Sequence, residues 1–428
     1  MPSDLAGKSF SKNWWRQFIN ETHDLTNART FKHCIRHSDV QLLRSGVVEA
    51  LRTKYLQQNG AEDLRIYIGS ELKSETYLEH LFECPPSISE GISTYTNRTF
   101  EEDFCIILNK GEKYSEILSR HVLEMIEPLF LNLGIPALGA DITVFVGNYG
   151  WTPLGIHRDR PGENVFHFHL GPSPKTIYLW SDEMYQAISG GRQNNNNIEP
   201  ILPHARVHTQ YAGDMFFMPW DLFHVGRSDE LSVTVTVWLN NSPREKYVKT
   251  LVSEYLRFNL SDERLLTPSD LVSLRHCDFA VNLSEMLGID EDILNISLND
   301  LILRSDAEHF LCLQSNGGWQ SHPITLREST LCGPATGGDL LEKTVKLVRP
   351  FRIFYEETGD RLNVFVRGRK LEIRHFPAIV TLIDRLNETR EVQVRELLTE
   401  VNGEIPEKDL LFFISHLIDK RGLELTEP

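Results

Sequence analysis

Sixteen histidines are spread along the chain, enough that several have acidic neighbours by chance at a spacing that chemistry can use. His157 and Asp159 are one such pair, in GIHRDR. On extended backbone, residues i and i+2 project to one side, so an imidazole and a carboxylate at this spacing can converge on one ion. A third ligand must come from elsewhere, and His224 in GDMFFMPWDLFH is the candidate. Gly213-Asp214 makes a tight turn, FFMP runs inward, and Pro219 stiffens the exit, which lets His224 face back toward the pair. Two imidazoles and one carboxylate on one face leave three positions open on an octahedral metal, the donor set of non-haem Fe(II) oxygenases. Zinc, manganese, cobalt and nickel accept the same donors. Neither half carries the reading alone. The two halves in order, inside one β-rich region, do.

That region is built of short runs rich in β-branched and aromatic residues: DITVFVGNYGW (141–151), VFHFHLG (165–171), KTIYLW (175–180), ARVHTQ (205–210), DMFFMP (214–219) and LSVTVTVWLN (231–240). Gly, Pro and Asp turns at these intervals are those of an antiparallel barrel or sandwich. In VFHFHLG the pleat places His167 and His169 on one face and Phe166 and Phe168 on the other, without saying which pair faces in. The polar run SGGRQNNNNIEP (189–200) reads as a mobile surface excursion or a lid.

On either side the pattern changes. Residues 1–90 read as a mixed α/β segment, mostly helical, with RIYIGSEL (65–72) as a strand. From Glu112 to Leu133, apolar residues recur at three and four, one helical stripe packed on a sheet. After Ser242-Pro243, REKYVKTLVSEYLRF is an amphipathic helix, and HFLCLQS (309–315) reads as a strand. From about residue 340, two alternating strands flank a Gly-Asp turn. Helical stretches at 377–387, 391–401 and 407–420 and a terminal strand then give a winged-helix layout. Residues 377–428 carry 6 basic and 11 acidic side chains, which disfavours DNA reading and favours a protein contact.

The whole chain of 428 residues carries a net charge of −16, with 41% hydrophobic residues. Such a composition supports two or three folded domains, and the acidic balance disfavours nucleic acid and favours a basic partner. No run is long and apolar enough to span a membrane, and the first residues lack the layout of a secretion signal. Six scattered cysteines without a CxxC argue against a disulfide framework, so a reducing cytoplasm is expected. Phosphate-binding GxGxxG and GxxxxGK[ST] loops in a strand–helix setting, and the GxSxG nucleophile elbow, are all missing.

The stretch 141–240, through TPLGIHRD, HFHLGPSPKTIY and GDMFFMPWDLFH followed by SVTVTVW, resembles the jumonji-C class of cupin-fold oxygenases. Its likeness is closest to protein hydroxylases of the asparaginyl and ribosomal-oxygenase type. The resemblance implies an α+β chain around a double-stranded β-helix, using Fe(II), 2-oxoglutarate and O2, with His157, Asp159 and His224 as metal ligands. By the same resemblance Lys175 pairs with the distal carboxylate of 2-oxoglutarate, Thr152 and Tyr95 touch that carboxylate, and Asn164 bonds the C1 end. Trp238 matches a tryptophan on the last barrel strand. Domain order also resembles the ribosomal oxygenases: 91–242 as the barrel, 243–338 as a helical linker that could form a homodimer, and 339–428 as the winged-helix-like unit. The implied activity is hydroxylation of an amino-acid side chain in a protein or peptide, with a basic target favoured by charge. A small-molecule oxygenase and a non-catalytic metal-binding cupin remain the alternatives.

Overall fold

Alternation of polar with β-branched and aromatic residues gives the chain strands with two unlike faces. The computed structural model describes residues 9–259, 295–325, 340–401 and 403–426. One antiparallel sheet of eight strands runs in the order β1-β10-β7-β12-β5-β4-β2-β3. Its members are β1 (Arg29–Phe31), β2 (Leu64–Ile68), β3 (Glu71–Leu72), β4 (Phe104–Leu108), β5 (Ala140–Gly147), β7 (Glu163–Pro172), β10 (Met215–Met218) and β12 (Ser232–Asn240). A second sheet, in the order β6-β11-β8-β9, holds β6 (Gly150–Trp151), β8 (Lys175–Trp180), β9 (Arg206–Gln210) and β11 (Phe223–Ser228).

Register sorts the side chains of the large sheet. Val235 lies opposite Val144 and Phe168, and Val237 opposite Ile142 and Phe166. These buried residues share one core with Trp15 and Phe18 of α1 (Lys12–Glu21), Leu43 and Val47 of α2 (His37–Gln57), and Leu118, Val122 and Ile126 of α6 (Glu116–Leu133). Each such side chain removed from water contributes about 1.5–3 kcal/mol. The alternate residues form rows of their own: Thr236 opposite Thr143 and His167, Thr234 opposite Phe145 and His169. Their face turns toward the second sheet. His167 and His169 therefore face in, and Phe166 and Phe168 pack under the helices.

Within residues 1–90, β1, β2 and β3 belong to the large sheet and α1 and α2 to its core, so this part is not set apart from that sheet. The helical stripe expected from Glu112 is broken at Ser115, between α5 (Gly111–Tyr114) and α6. Ser115 Oγ caps α6 by accepting from Leu118 N–H at 3.0 Å and donates to Glu49 at 2.5 Å. Two shorter helices, α3 (Glu75–Phe82) and α4 (Ile92–Thr99), complete this side, and α7 (Asp182–Ser189) follows β8.

The described residues 242–259 and 295–311 belong to a compact unit of their own. In it α8 (Arg244–Asn259) meets α9 (Leu298–Ser315) through Ser305 Oγ to Leu251 O at 2.6 Å and His309 to Glu254 at 2.9 Å. HFLCLQS is thus helix, not strand. Leu301, Ser305 and His309 recur every fourth residue, a helical period that outweighs the local alternation. Half of the segment expected to dimerise, 260–294 and 326–338, lies outside the described residues.

The C-terminal part has its own core. A meander of β14 (Phe354–Thr358), β15 (Arg361–Val366) and β16 (Arg369–Arg374) precedes α10 (Pro377–Glu388), α11 (Val394–Glu400) and α12 (Glu407–Asp419). A sheet of β17 (Val392–Gln393), β13 (Thr344–Leu347) and β18 (Leu423–Thr426) accompanies them. Buried Arg367 joins this part to α6, donating to Glu116 Oε1 at 2.8 Å and lying over the Phe351 ring. Among the described residues no helix is long and apolar enough to cross a membrane.

Candidate metal centre

Two short backbone segments bring the histidines together. His157 N–H donates to His224 O at 3.1 Å, and His224 N–H returns to His157 O at 2.8 Å. Each imidazole spends its Nδ1–H on a carbonyl two residues earlier, Gly155 O at 2.9 Å and Leu222 O at 3.2 Å. That bond fixes the tautomer and leaves each Nε2 lone pair for the shared space. Both Nε2 atoms lie 4.0 Å from Asp159 Oδ1, so His157, Asp159 and His224 offer three donors around one point. Ligand atoms about 2.0–2.2 Å from an ion can be at most ~4.4 Å apart, and these separations fall inside that limit.

Burial sets the charge state. It pushes both imidazoles down to about 4, helped at His157 by the neighbouring His224, so they are neutral and able to ligate at pH 7. Burial also pushes Asp159 up to about 7, against a partial offset from His157. Its Oδ2 has no hydrogen-bond partner. A buried carboxyl with an empty oxygen is costly, and a cation shared with two neutral imidazoles is the partner that its donor set fits.

The Asn-rich run is part of this scaffold and not a loose excursion. Asn195 exchanges backbone hydrogen bonds with Ile156 at 2.9 and 3.1 Å, the Asn194 amide donates to Leu154 O, and Gln193 accepts from Arg158 N–H. Gly155 allows that approach. It has φ +67°, and a Cβ there would meet Asn195 backbone at 2.9 Å and Asn196 Oδ1 at 2.4 Å.

Between the sheets lies a cavity of about 210 Å³ bordered by the triad and by Lys175. The Lys175 side chain is buried, its ammonium 4.7 Å from the Phe145 ring centroid and 5.9 Å from that of Tyr149. It makes no hydrogen bond or ion pair among the described residues. Burial pushes it down to about 8, so it remains mostly cationic at pH 7. Thr152 also borders the cavity, with its hydroxyl donated to Gly226 O at 3.0 Å. Gly226 makes room, since a Cβ there would lie 2.8 Å from Thr152 Oγ1 and 3.4 Å from Lys175 Cε. Trp238 borders it as well, with its buried Nε1 unpartnered among the described residues, and so does buried His167, with both ring nitrogens empty there. His169 is satisfied, by Thr234 Oγ1 and Ser173 O, and forms no second metal site with His167.

Two expected contacts are not made. The Tyr95 hydroxyl sits on α4 in the helical core and donates to Tyr55 Oη at 3.1 Å, away from the cavity lining. Asn164 is one residue out of phase. On β7 it shares the parity of Phe166 and Phe168, and its Oδ1 accepts from Trp220 N–H at 3.2 Å. A different tyrosine, Tyr149, sits beside Lys175 with a buried, unpartnered hydroxyl. Sequence reasoning also passed over Arg65, Asn109 and Thr143, which line the cavity. The signal for Arg65 was present: Leu64, Ile66 and Ile68 alternate around it, which turns an arginine to the opposite, inner face.

Neither a protein-family model nor a curated protein matches the chain. Solved structures do. A structure of YcfD, a ribosomal oxygenase from Escherichia coli, in complex with cobalt and 2-oxoglutarate is similar at 12% identity and a TM-score of 0.49, covering 96% of this chain and 98% of that one. YcfD with cobalt and succinic acid matches with the same identity and coverage, at a TM-score of 0.48.

Proposed function

We propose that the chain is an Fe(II)- and 2-oxoglutarate-dependent oxygenase that hydroxylates an amino-acid side chain in a protein or peptide. One observation carries this reading: the His157–Asp159–His224 set and the buried, counterion-free Lys175 border a single small cavity. A metal site alone would not require a second buried cation. A keto dicarboxylate that chelates a metal at one end and carries a charge at the other requires both.

In this reading the two sheets form the cupin-type double-stranded β-helix of jumonji-C proteins, and the C-terminal part is winged-helix-like. His157, Asp159 and His224 hold the metal, which with 2-oxoglutarate and O2 turns a substrate C–H into C–OH while succinate and CO2 are released. Lys175 pairs the distal carboxylate, with Thr152 and Tyr149 at the same end. His167 offers a hydrogen bond from the cavity wall, and the burial of Lys175, Thr152 and His167 strengthens each of these contacts. At about 210 Å³ the cavity accommodates a small cosubstrate plus the tip of a side chain, which supports a substrate presented from outside. No disulfide joins Cys34, Cys84, Cys105 and Cys312 among the described residues, in keeping with a cytoplasmic setting.

Purified protein incubated with Fe(II), 2-oxoglutarate and air is expected to release succinate, and His157→Ala to release none. Equal succinate from both proteins, or none from either in the presence of a cell lysate, would contradict the proposal.

A further inference from the structure

Among the described residues, Arg65 is the one cavity-lining cation that the proposed chemistry leaves unused. It sits on β2 opposite Ile107, in a row that continues through Phe145 along the inner face. Its Nε is buried and empty, and the side chain makes no hydrogen bond or ion pair among the described residues. Other arginines with a buried, empty Nε differ. Arg52 and Arg369 each give a terminal nitrogen to a backbone carbonyl, Pro86 O and Pro323 O. Close by, the Asn109 oxygen accepts from Thr143 Oγ1 at 3.3 Å, which leaves its NH2 as the end available to a ligand, and the Trp238 N–H is also empty. Donors without acceptors therefore collect on this wall, and buried donors are seldom left so.

Charge points the same way. A metal dication, Lys175 and Arg65 bring four positive charges; Asp159 and dianionic 2-oxoglutarate cancel three. One positive charge remains on a half-buried side chain whose Nε is buried without a partner, and a buried donor left so is disfavoured.

We infer that the substrate group entering this cavity carries a carboxylate, and that Arg65 is the cation that receives it. This rests on the oxygenase reading and narrows its substrate class to an acidic side chain. It also revises the expectation drawn from net charge. The −16 of the whole chain acts at a distance and is screened, whereas Arg65 acts at contact. Planar bidentate pairing suits arginine to a carboxylate, and lysine supplies charge without that fork.

The test uses full-length protein loaded anaerobically with Co(II) and 2-oxoglutarate, whose visible spectrum reports a group arriving beside the metal. Capped pentapeptide pools with aspartate, asparagine or lysine fixed at the centre are titrated in. The aspartate pool is expected to bind at least about tenfold more tightly than the other two, the scale of one charge-assisted contact. Arg65→Gln should erase that preference while Co(II) and 2-oxoglutarate still bind, and Arg65→Lys should keep part of it. Equal binding of all pools, preference for lysine, no response to any pool, or a preference that survives in Arg65→Gln would overturn the inference. Failure of Co(II) or 2-oxoglutarate to bind would instead remove the oxygenase reading beneath it.

Discussion

The two faces of the large sheet are made by the same strands and obey opposite rules. On β7 and β12, Phe166, Phe168, Val235 and Val237 fill the helical core with apolar contacts alone. One residue along, His167 and Trp238 face the second sheet with buried polar atoms left empty. The first face supplies stability and no chemistry. The second gives up stability, since buried polar groups without partners destabilise, and in the proposed reading a bound ligand supplies those partners. Buried Lys175 and Asp159 extend that rule to the opposite wall and the triad.

Substitutions on the two faces should accordingly fail in different ways. The largest effect on function is expected from His157→Ala: metal affinity falls by more than ~100-fold and succinate release disappears. Its metal-free melting temperature should stay level or rise, because an unfilled donor set contributes no stability. Calorimetric metal titration beside a thermal melt checks both halves. Phe168→Ala should do the reverse, costing about 3–5 kcal/mol in urea unfolding with metal affinity retained by the folded fraction. If both variants lost stability equally, the contrast between the faces would break.

Lys175→Met sharpens it further. Affinity for 2-oxoglutarate should drop by about 10–100-fold, the worth of a charge-assisted contact in a dry site. Stability without ligand should not fall. The smallest effect is the pH dependence. Burial lowers the folded-state value of Lys175 from 10.5 to about 8, so holding it charged costs stability below pH 8. That cost is relieved as pH rises from about 8 toward 10.5, and a melting series should show a relative gain there in wild type that Lys175→Met lacks. Binding of 2-oxoglutarate should weaken over the same range as the free protein loses its cation.

Much of this was readable from the residues. His157, Asp159, His224, Lys175 and Thr152 are brought to one cavity because period-two alternation and turn residues fix which way a strand side chain points. Asn164 was misplaced because the sequence does not state register, and one step along β7 exchanges lumen for core. Tyr95 was misplaced for another reason: distance along the chain said nothing of α4, which carries it into the helical core beside Tyr55. The Asn-rich run looked mobile by composition, yet its backbone pairs with Ile156, a long-range contact that no local propensity encodes. Alternation in LRIYI turns Arg65 away from Leu64 and Ile66, but that this face borders the metal cavity needed the three-dimensional fold, because β2 reaches β5 only through β4.

The most direct test of the central claim is anaerobic calorimetry with Mn(II) followed by 2-oxoglutarate. One ion and then one 2-oxoglutarate per chain should bind, the second only after the first, with the ion lost in His224→Ala and the acid weakened in Lys175→Met. Binding of 2-oxoglutarate regardless of metal, or retention of the ion in His224→Ala, would contradict the account.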